Sequence, residues 1–173
     1  LRQISLKELM PFIDWQPFFI SWDLHGKFPE ILKDDKVGEQ ATHVYEDAQK
    51  MIEMIIAKQL FKAKAIFGLF EANSVDEDDI LITKNKKELA RFRTLRQQLH
   101  KKEGIPSYAL ADFIAPTETG LQDYIGAFVV TTGVGLDEHI QRFEADHDDY
   151  SAIMLKALAD RLAEAFAEKM HEI

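Results

Sequence analysis

The sequence contains no cysteine among its 173 residues. That absence excludes a disulfide scaffold, a cysteine zinc site and a thiol nucleophile, and it fits a reducing cytosol. No apolar run reaches the roughly 18 residues of a membrane span, and the first residues, "LRQISLKEL", mix polar and apolar side chains unlike a signal peptide. We therefore expect a cytoplasmic protein that has no membrane as a partner.

Positive charge is scarce as well. The chain has 21 Lys and Arg residues against 30 Asp and Glu residues, a net charge of -9. Nucleic acid is therefore excluded as an expected partner, because a phosphate backbone requires a basic face. The acidity is compatible with a positively charged partner surface or with solubility alone. With 46% hydrophobic residues, the chain has the composition of an ordinary globular protein, and we expect a single domain over residues 1–173.

Motifs for phosphate binding, metal binding and nucleophilic catalysis are weak. Gly133–Gly135 reads "GVG" without a further glycine, which favours a turn at a strand end over a dinucleotide site. His147–Asp149 reads "HDD", which could supply metal ligands, but adjacent positions rarely converge on one ion, so a helix cap is favoured. No nucleophile elbow supports a Ser/His/Asp triad. We expect neither a catalytic residue nor a metal site in this chain.

Hydrophobic periodicity predicts an α+β fold with a mainly antiparallel twisted sheet flanked by long helices. Pro17 predicts an extended or turned segment after the first helix. The predicted helices are a short one capped by Ser5 and ending at Phe12, then Gly38–Lys58, Leu136–Ala145 and Asp149–His171. The predicted strands are 63–72 and 80–84, which form a hairpin, one through about Leu95, "YALADFI" and 124–133.

Asp14 is the only ionisable residue in "PFIDWQPFFISW", where four aromatic residues follow it within eight positions. A carboxylate that is buried among rings needs a partner to replace its lost solvation. One interpretation is that Asp14 binds a cationic ligand group. The other is that it caps a turn before Pro17.

Two further polar patterns each have two interpretations. Lys156, Asp160, Glu164 and Glu168 are spaced by four on the last helix, so they share one face, on which Lys156 and Asp160 can pair. That face is either solvated or an acidic docking surface. The segment "LRQQ" at Leu95–Gln98 either binds a polar ligand or ties down a loop, and the structural role is favoured.

Six segments stand out when they are taken together. They are "DWQPFFISWDLHGKFPEIL", "GLFEAN", "LRQQ", "LADFIAP", "DYIGAFVVTTG" and "HDDYSAIMLKALADRLAEAFAE". In these segments and in their order, the chain resembles the C-terminal activation domain of cobalamin-dependent methionine synthase from about Ile13 to Ile173.

The resemblance implies part of an enzyme, a methyltransferase that moves a methyl group from methyltetrahydrofolate to homocysteine through methylcobalamin. Its activation domain binds S-adenosylmethionine and lies over the cobalamin-binding module of the same polypeptide, which holds the cobalamin. A flavodoxin-type or flavoprotein reductase supplies the electron for reductive remethylation of cob(II)alamin. The net acidity fits an acidic flavodoxin poorly unless a basic patch, at Lys84–Lys87 or His100–Lys102, forms that contact.

The resemblance also implies roles for three carboxylates. Asp14 matches the family's contact to the amino group of S-adenosylmethionine. Asp160 and Glu164 match carboxylates that face the cobalamin module, where they can hold the histidine released from cobalt. The family's "RPAPGYP"-type loop lies beyond the last helix, so we expect residues 1–173 to be the N-terminal part of an activation domain without its C-terminal segment. The alternative is a non-catalytic docking module for the cobalamin domain and the reductase, with no ligand binding by this chain alone.

Overall fold

A computed structural model describes residues 2–173, with the backbone only for Arg2. Within this range the chain forms five α-helices and five strands, and short 3₁₀ turns connect several of them. The helices are α1 (Leu6–Leu9), α2 (Trp15–Ser21), α3 (Gly38–Lys58), α4 (Leu136–Ala145) and α5 (Asp149–Glu172). The strands are β1 (Arg2–Ile4), β2 (Lys62–Val75), β3 (Asp79–Lys84), β4 (Lys87–Arg93) and β5 (Asp123–Val134).

The strands form one sheet in the order β1-β2-β3-β4, and β5 also pairs with β2. The β1/β2, β2/β3 and β3/β4 pairs are antiparallel. In the predicted hairpin, Ala72 lies opposite Ile82 and Val75 lies opposite Asp79. The predicted α+β class, with a mainly antiparallel sheet and long helices, is confirmed.

Two compact units make up the chain. The first contains residues up to Ile66 and Val129–Ile173, and the second contains Phe67–Phe128. The core of the first unit is formed by α1, α2, α3 and α5 together with Ala63 and Ala65 of β2. The second unit has a small core around Ala72, Ile80 and Ala111.

Helix α5 is amphipathic, and its buried residues recur every three or four positions as the sequence predicts. Asp148 caps the helix, since its Oδ1 accepts a hydrogen bond of 3.0 Å from the backbone N–H of Ser151. The buried face packs on the other helices of the first unit. It consists of Ala152, Met154, Leu155, Leu158, Ala159, Leu162, Ala165, Phe166 and Met170.

Two segments differ from the prediction. The segment around Pro17 is helical rather than extended, because Pro17 lies in the first turn of α2, where a missing N–H leaves no hydrogen bond unmade. The "YALADFI" segment is not a strand: Leu110–Phe113 is a 3₁₀ turn. Asp112 closes that turn, since its Oδ2 accepts from the backbone N–H of Ala109 at 2.9 Å.

Candidate functional site

Asp14 is the N-cap of α2. Its Oδ1 accepts a hydrogen bond of 2.9 Å from the backbone N–H of Gln16, and its side chain is exposed. Asp14 is therefore not buried among the aromatic rings that follow it in the sequence. The capping interpretation is confirmed, but a cap uses one oxygen, and Oδ2 has no hydrogen-bond partner among the residues that the structure describes.

The aromatic residues after Asp14 point away from it into the core. Trp15, Phe18 and Phe19 are all at most 9% exposed. The Trp15 ring meets Phe18 edge-on at 5.3 Å and Tyr45 of α3 edge-on at 4.9 Å between centroids. Phe28 stacks on Phe19 at 5.9 Å. These contacts fix the start of α2 on α3, so the Asp14 backbone is held by a packed aromatic base while its carboxylate faces solvent.

The acidic pattern of the last helix forms an exposed stripe. Asp160, Glu164 and Glu168 are all exposed on the face of α5 opposite its buried residues. Like charges at this spacing repel each other weakly. Glu164 and Glu168 have no ion pair among the described residues.

The cations near this stripe pair differently from the expectation. Lys156 does not pair with Asp160; its Nζ lies 2.9 Å from Oε1 of Glu144 on α4. Asp160 instead pairs with Arg161, its neighbour in sequence, whose side chain is 17% exposed. The stripe thus keeps an excess of carboxylates at the surface, which leaves both the solvated and the docking interpretations open.

The "LRQQ" segment ties down a loop, as the favoured interpretation predicts. Arg96 donates two hydrogen bonds of 2.8 Å to the Asp112 carboxylate and one of 2.6 Å to Asp78. The Arg96 hydrogen bonds, followed by one from Ala109 N–H, lower the pKa of Asp112 to about 2. Gln97 accepts from the backbone N–H of Tyr108 at 3.2 Å. Both side chains are therefore occupied within the second unit.

A polar network on the first unit was missed from the sequence. The Tyr150 hydroxyl, in the first turn of α5, donates to Oδ2 of Asp47 on α3 at 3.1 Å. Burial, followed by the hydrogen bond to Asp47, raises the pKa of Tyr150 to about 12. Lys50 lies 3.1 Å from the same carboxylate, and its hydrogen bond is the main cause that lowers the pKa of Asp47. The partners are about 100 positions apart, so no local spacing indicates them.

Two cavities lie away from Asp14, Asp160 and Glu164. One of about 370 Å³ is lined by residues of the second unit that include Ser74, Asp76 and Asp112. Another of about 300 Å³ lies between the N-terminal strand and the end of α3. Neither is lined by Asp14, Asp160 or Glu164. The Asp14 side chain lies at the surface, since it is exposed.

Metal-ligand clusters and membrane-spanning helices are both absent from the residues that the structure describes. No group of three or more His, Asp or Glu side chains in residues 2–173 is arranged to hold a metal ion. No helix in the part of the chain that the structure describes is long and apolar enough to cross a membrane.

Comparison with known proteins gives the family. The sequence model for the activation domain of vitamin B12 dependent methionine synthase matches residues 5–173. A solved structure, the MetH reactivation domain bound to AdoHcy, superposes with a TM-score of 0.90 at 46% sequence identity over 99% of this chain. This chain spans about half of that solved chain, 53% of its length. The chain belongs to the family of vitamin B12 dependent methionine synthase activation domains.

Proposed function

We propose that this chain binds S-adenosylmethionine as part of the activation domain of a methionine synthase, with Asp14 as the anchor for the ligand's ammonium group. The observation that carries the proposal is the 46% identical, similarly folded reactivation domain, which is bound to AdoHcy, an adenosyl ligand of the same class. S-adenosylmethionine would supply the methyl group, and the residues of this chain would bind and orient it.

The geometry at Asp14 fits a cationic ligand group. Its Oδ2 is exposed and has no partner among the described residues, while Oδ1 is held by Gln16. The carboxylate is thus orientated before a ligand arrives, which reduces the entropy lost on binding. A hydrogen bond between an ammonium and a carboxylate contributes about 1.5–3 kcal/mol, which corresponds to about a 10- to 150-fold difference in Kd.

Calorimetric titration of Asp14 variants tests this anchor. Asparagine caps helices as well as aspartate does, so Asp14→Asn removes the charge and keeps α2. We expect Asp14→Asn to weaken binding of both S-adenosylmethionine and AdoHcy about 10- to 100-fold. Asp148→Asn, which makes the same change at the cap of α5, is the matched control and leaves binding unchanged.

AdoHcy and methylthioadenosine show which group of the ligand Asp14 contacts. AdoHcy has the ammonium but no sulfonium charge, so an equal loss with both ligands assigns Asp14 to the ammonium. Methylthioadenosine lacks the amino-acid portion, and its binding should not respond to Asp14→Asn. Equal affinity of Asp14→Asn and the unaltered chain for S-adenosylmethionine would contradict the anchor. No binding by either chain would favour the alternative function, a docking module without ligand binding.

We also propose that the acidic stripe contacts the cobalamin-binding module, where Asp160 and Glu164 hold a histidine released from cobalt. The support is their exposure together on one face of α5 and the match of residues 5–173 to the activation-domain family. A carboxylate stabilises a protonated imidazole by a charge-assisted hydrogen bond.

Affinity for a cobalamin-loaded module measures this contact. The double variant Asp160→Asn and Glu164→Gln should bind the module several-fold more weakly. Glu46→Gln with Glu53→Gln, an exposed pair on α3, removes the same charge and should have no effect. Equal weakening by both double variants would indicate a general charge effect and refute a specific contact.

A flavodoxin-type or flavoprotein reductase is the second proposed partner, and methyl transfer to homocysteine is the proposed activity of the whole enzyme. Both rest on the family and on no geometry of this chain. Binding of an FMN-loaded flavodoxin to the chain, measured by titration, tests the first.

A further inference from the structure

Strand β5 forms an open edge of the sheet. In the second unit it comprises residues 123–128. β5 pairs with β2 and with no other strand in the part of the chain that the structure describes. Its outer side therefore presents backbone N–H and C=O groups with which a further strand can pair.

The sequence of β5 does not protect this edge. Folded proteins usually protect an edge strand with charged side chains, prolines or bulges. After Asp123, β5 has no charged residue and no proline. The edge strand β4 differs, because four of its seven residues are charged: Lys87, Glu88, Arg91 and Arg93. Of these two edge strands, only β5 is therefore suited to pair with another strand.

Two exposed aromatic side chains flank a glycine on one face of β5. Tyr124 and Phe128 are 55% and 38% exposed, and Gly126 lies between them in the strand. Side chains alternate along a strand, so positions 124, 126 and 128 share a face. A Cβ added at Gly126 would lie 3.5 Å from Cδ2 of Leu69 on β2, an ordinary contact, so a side chain fits there as well. A glycine inside a strand often marks a place where another backbone comes close.

The order of these residues is symmetric about Gly126. If two copies of β5 pair antiparallel about a two-fold axis at Gly126, each Tyr124 lies opposite Phe128 of the other copy. The two Gly126 residues then face each other, and Ile125 lies opposite Ala127 on the other face. Aromatic pairs across strands are stabilising, and an aromatic ring can cover a neighbouring edge glycine. The segment is therefore complementary to a second copy of itself.

Charge also favours a copy of this chain at this edge. The chain has a net charge of -9, so two copies repel each other over most of their surfaces. In the symmetric register the two Asp123 side chains lie at opposite ends of the paired segment, and no other charge enters it. The same pairing of two β4 strands about Ala90 would place Lys87 opposite Arg93, where like charges are destabilising. The uncharged β5 edge is thus a place where two acidic copies can meet.

We propose that this chain forms a symmetric dimer in which residues 123–128 of two copies pair antiparallel about Gly126. The two exposed rings contribute about 200 Å² per copy, less than the roughly 800 Å² per partner of a standard interface. Main-chain hydrogen bonds therefore supply much of the contact, and the dimer is weak. Added salt should strengthen it, because salt screens the repulsion between two acidic chains.

Sedimentation equilibrium, from micromolar to near-millimolar chain, tests the dimer. Tyr124→Lys removes a ring from each cross-strand pair and adds an edge-protecting charge, so we expect it to weaken dimerisation by about tenfold or more. Leu89→Lys makes the same change in charge at an exposed position of β4, and this control should dimerise like the unaltered chain. An unaltered chain that stays monomeric at every concentration refutes the dimer and leaves the edge to a strand of another polypeptide. Equal dimerisation of the two variants also refutes it.

Cysteine cross-linking tests the register. The chain has no cysteine, and residues that face each other in antiparallel strands have Cα atoms about 4.5–5.5 Å apart, within the range of a disulfide. Under oxidation, Gly126→Cys should give a disulfide-linked dimer whose yield rises with chain concentration. Ala127→Cys lies opposite Ile125 rather than its own copy, so it should give little. Equal yields from the two variants, or no cross-link from Gly126→Cys in a chain that dimerises, would refute pairing about Gly126.

Discussion

Removal of the buried Thr132 hydroxyl should weaken the contact between β5 and α5. Thr132 of β5 is 2% exposed, and its hydroxyl donates a hydrogen bond of 2.6 Å to the carbonyl of Ala159. Ala159 immediately precedes Asp160 of the acidic stripe. The Thr132→Val variant keeps the branched shape of the side chain and removes the donor.

The expected loss follows from the bond that is removed. A buried neutral hydrogen bond contributes about 0.5–1.5 kcal/mol, and the Ala159 carbonyl keeps its helical partner, so it is not left unpaired. We therefore expect Thr132→Val to lower the free energy of unfolding by about 1 kcal/mol. Thr132→Ala loses packing as well and should lower it by about 2 kcal/mol.

Denaturant unfolding followed by tryptophan fluorescence provides the measurement. The chain has two tryptophans, and both lie in the same compact unit as Thr132, so the signal reports the unit that is altered. If Thr132→Val is as stable as the unaltered chain, or more stable, the hydroxyl does not hold β5 to α5 and the reasoning is wrong.

Two further predictions concern titration. The pKa of Asp112 should be about 2, so its contribution to stability is present above pH 3.8 and is lost as the pH falls toward 2. Arg96→Gln should raise the pKa of Asp112, although the hydrogen bond from the Ala109 N–H still keeps that pKa below its ordinary value. If NMR titration of the Asp112 carboxyl gives a pKa that stays near 2 in this variant, Arg96 is not the cause of the low pKa. The pKa of Tyr150 should be about 12, so its contribution is present below pH 10 and is lost as the pH rises from 10 to 12. Asp47→Asn should lower the pKa of Tyr150, since it removes the negative charge of the group that accepts the phenol's hydrogen bond. An unchanged phenolate absorbance titration after subtraction of Tyr150→Phe would contradict this.

The helices with strong local signals were predictable from the sequence. The periodicity of α3 gave its bounds, Gly38–Lys58, and the two aspartates at 148 and 149 marked the start of α5, where Asp148 is the cap. Both signals lie within a few residues of the structure that they predict. The bounds of α4 were predicted for the same reason.

Features that depend on distant partners were not predictable. The 3₁₀ turn at Leu110–Phe113 contains Asp112, which Arg96 holds from 16 positions away. The Tyr150–Asp47 bond joins residues 103 positions apart. Helix α2 is a different case, because its signal is local: Asp14 followed by a proline in the first turn is itself a helix-start pattern.

The candidate site was predicted in part. That Asp14 caps a local segment and that "LRQQ" holds a loop both follow from residue chemistry. The exposure of Asp14 did not, because the number of neighbouring rings says nothing about their direction, and here Trp15, Phe18 and Phe19 face the core. The ligand role of Asp14 and the partner roles of Asp160 and Glu164 came from the family resemblance and stay predictions.

A crystal structure of this chain with AdoHcy is the sharpest test of Asp14 as the ligand's anchor. We expect the ligand's ammonium nitrogen to lie about 2.7–2.9 Å from Oδ2 of Asp14, while Oδ1 keeps its hydrogen bond to Gln16. A bound ligand whose ammonium contacts a different group would contradict Asp14 as the anchor.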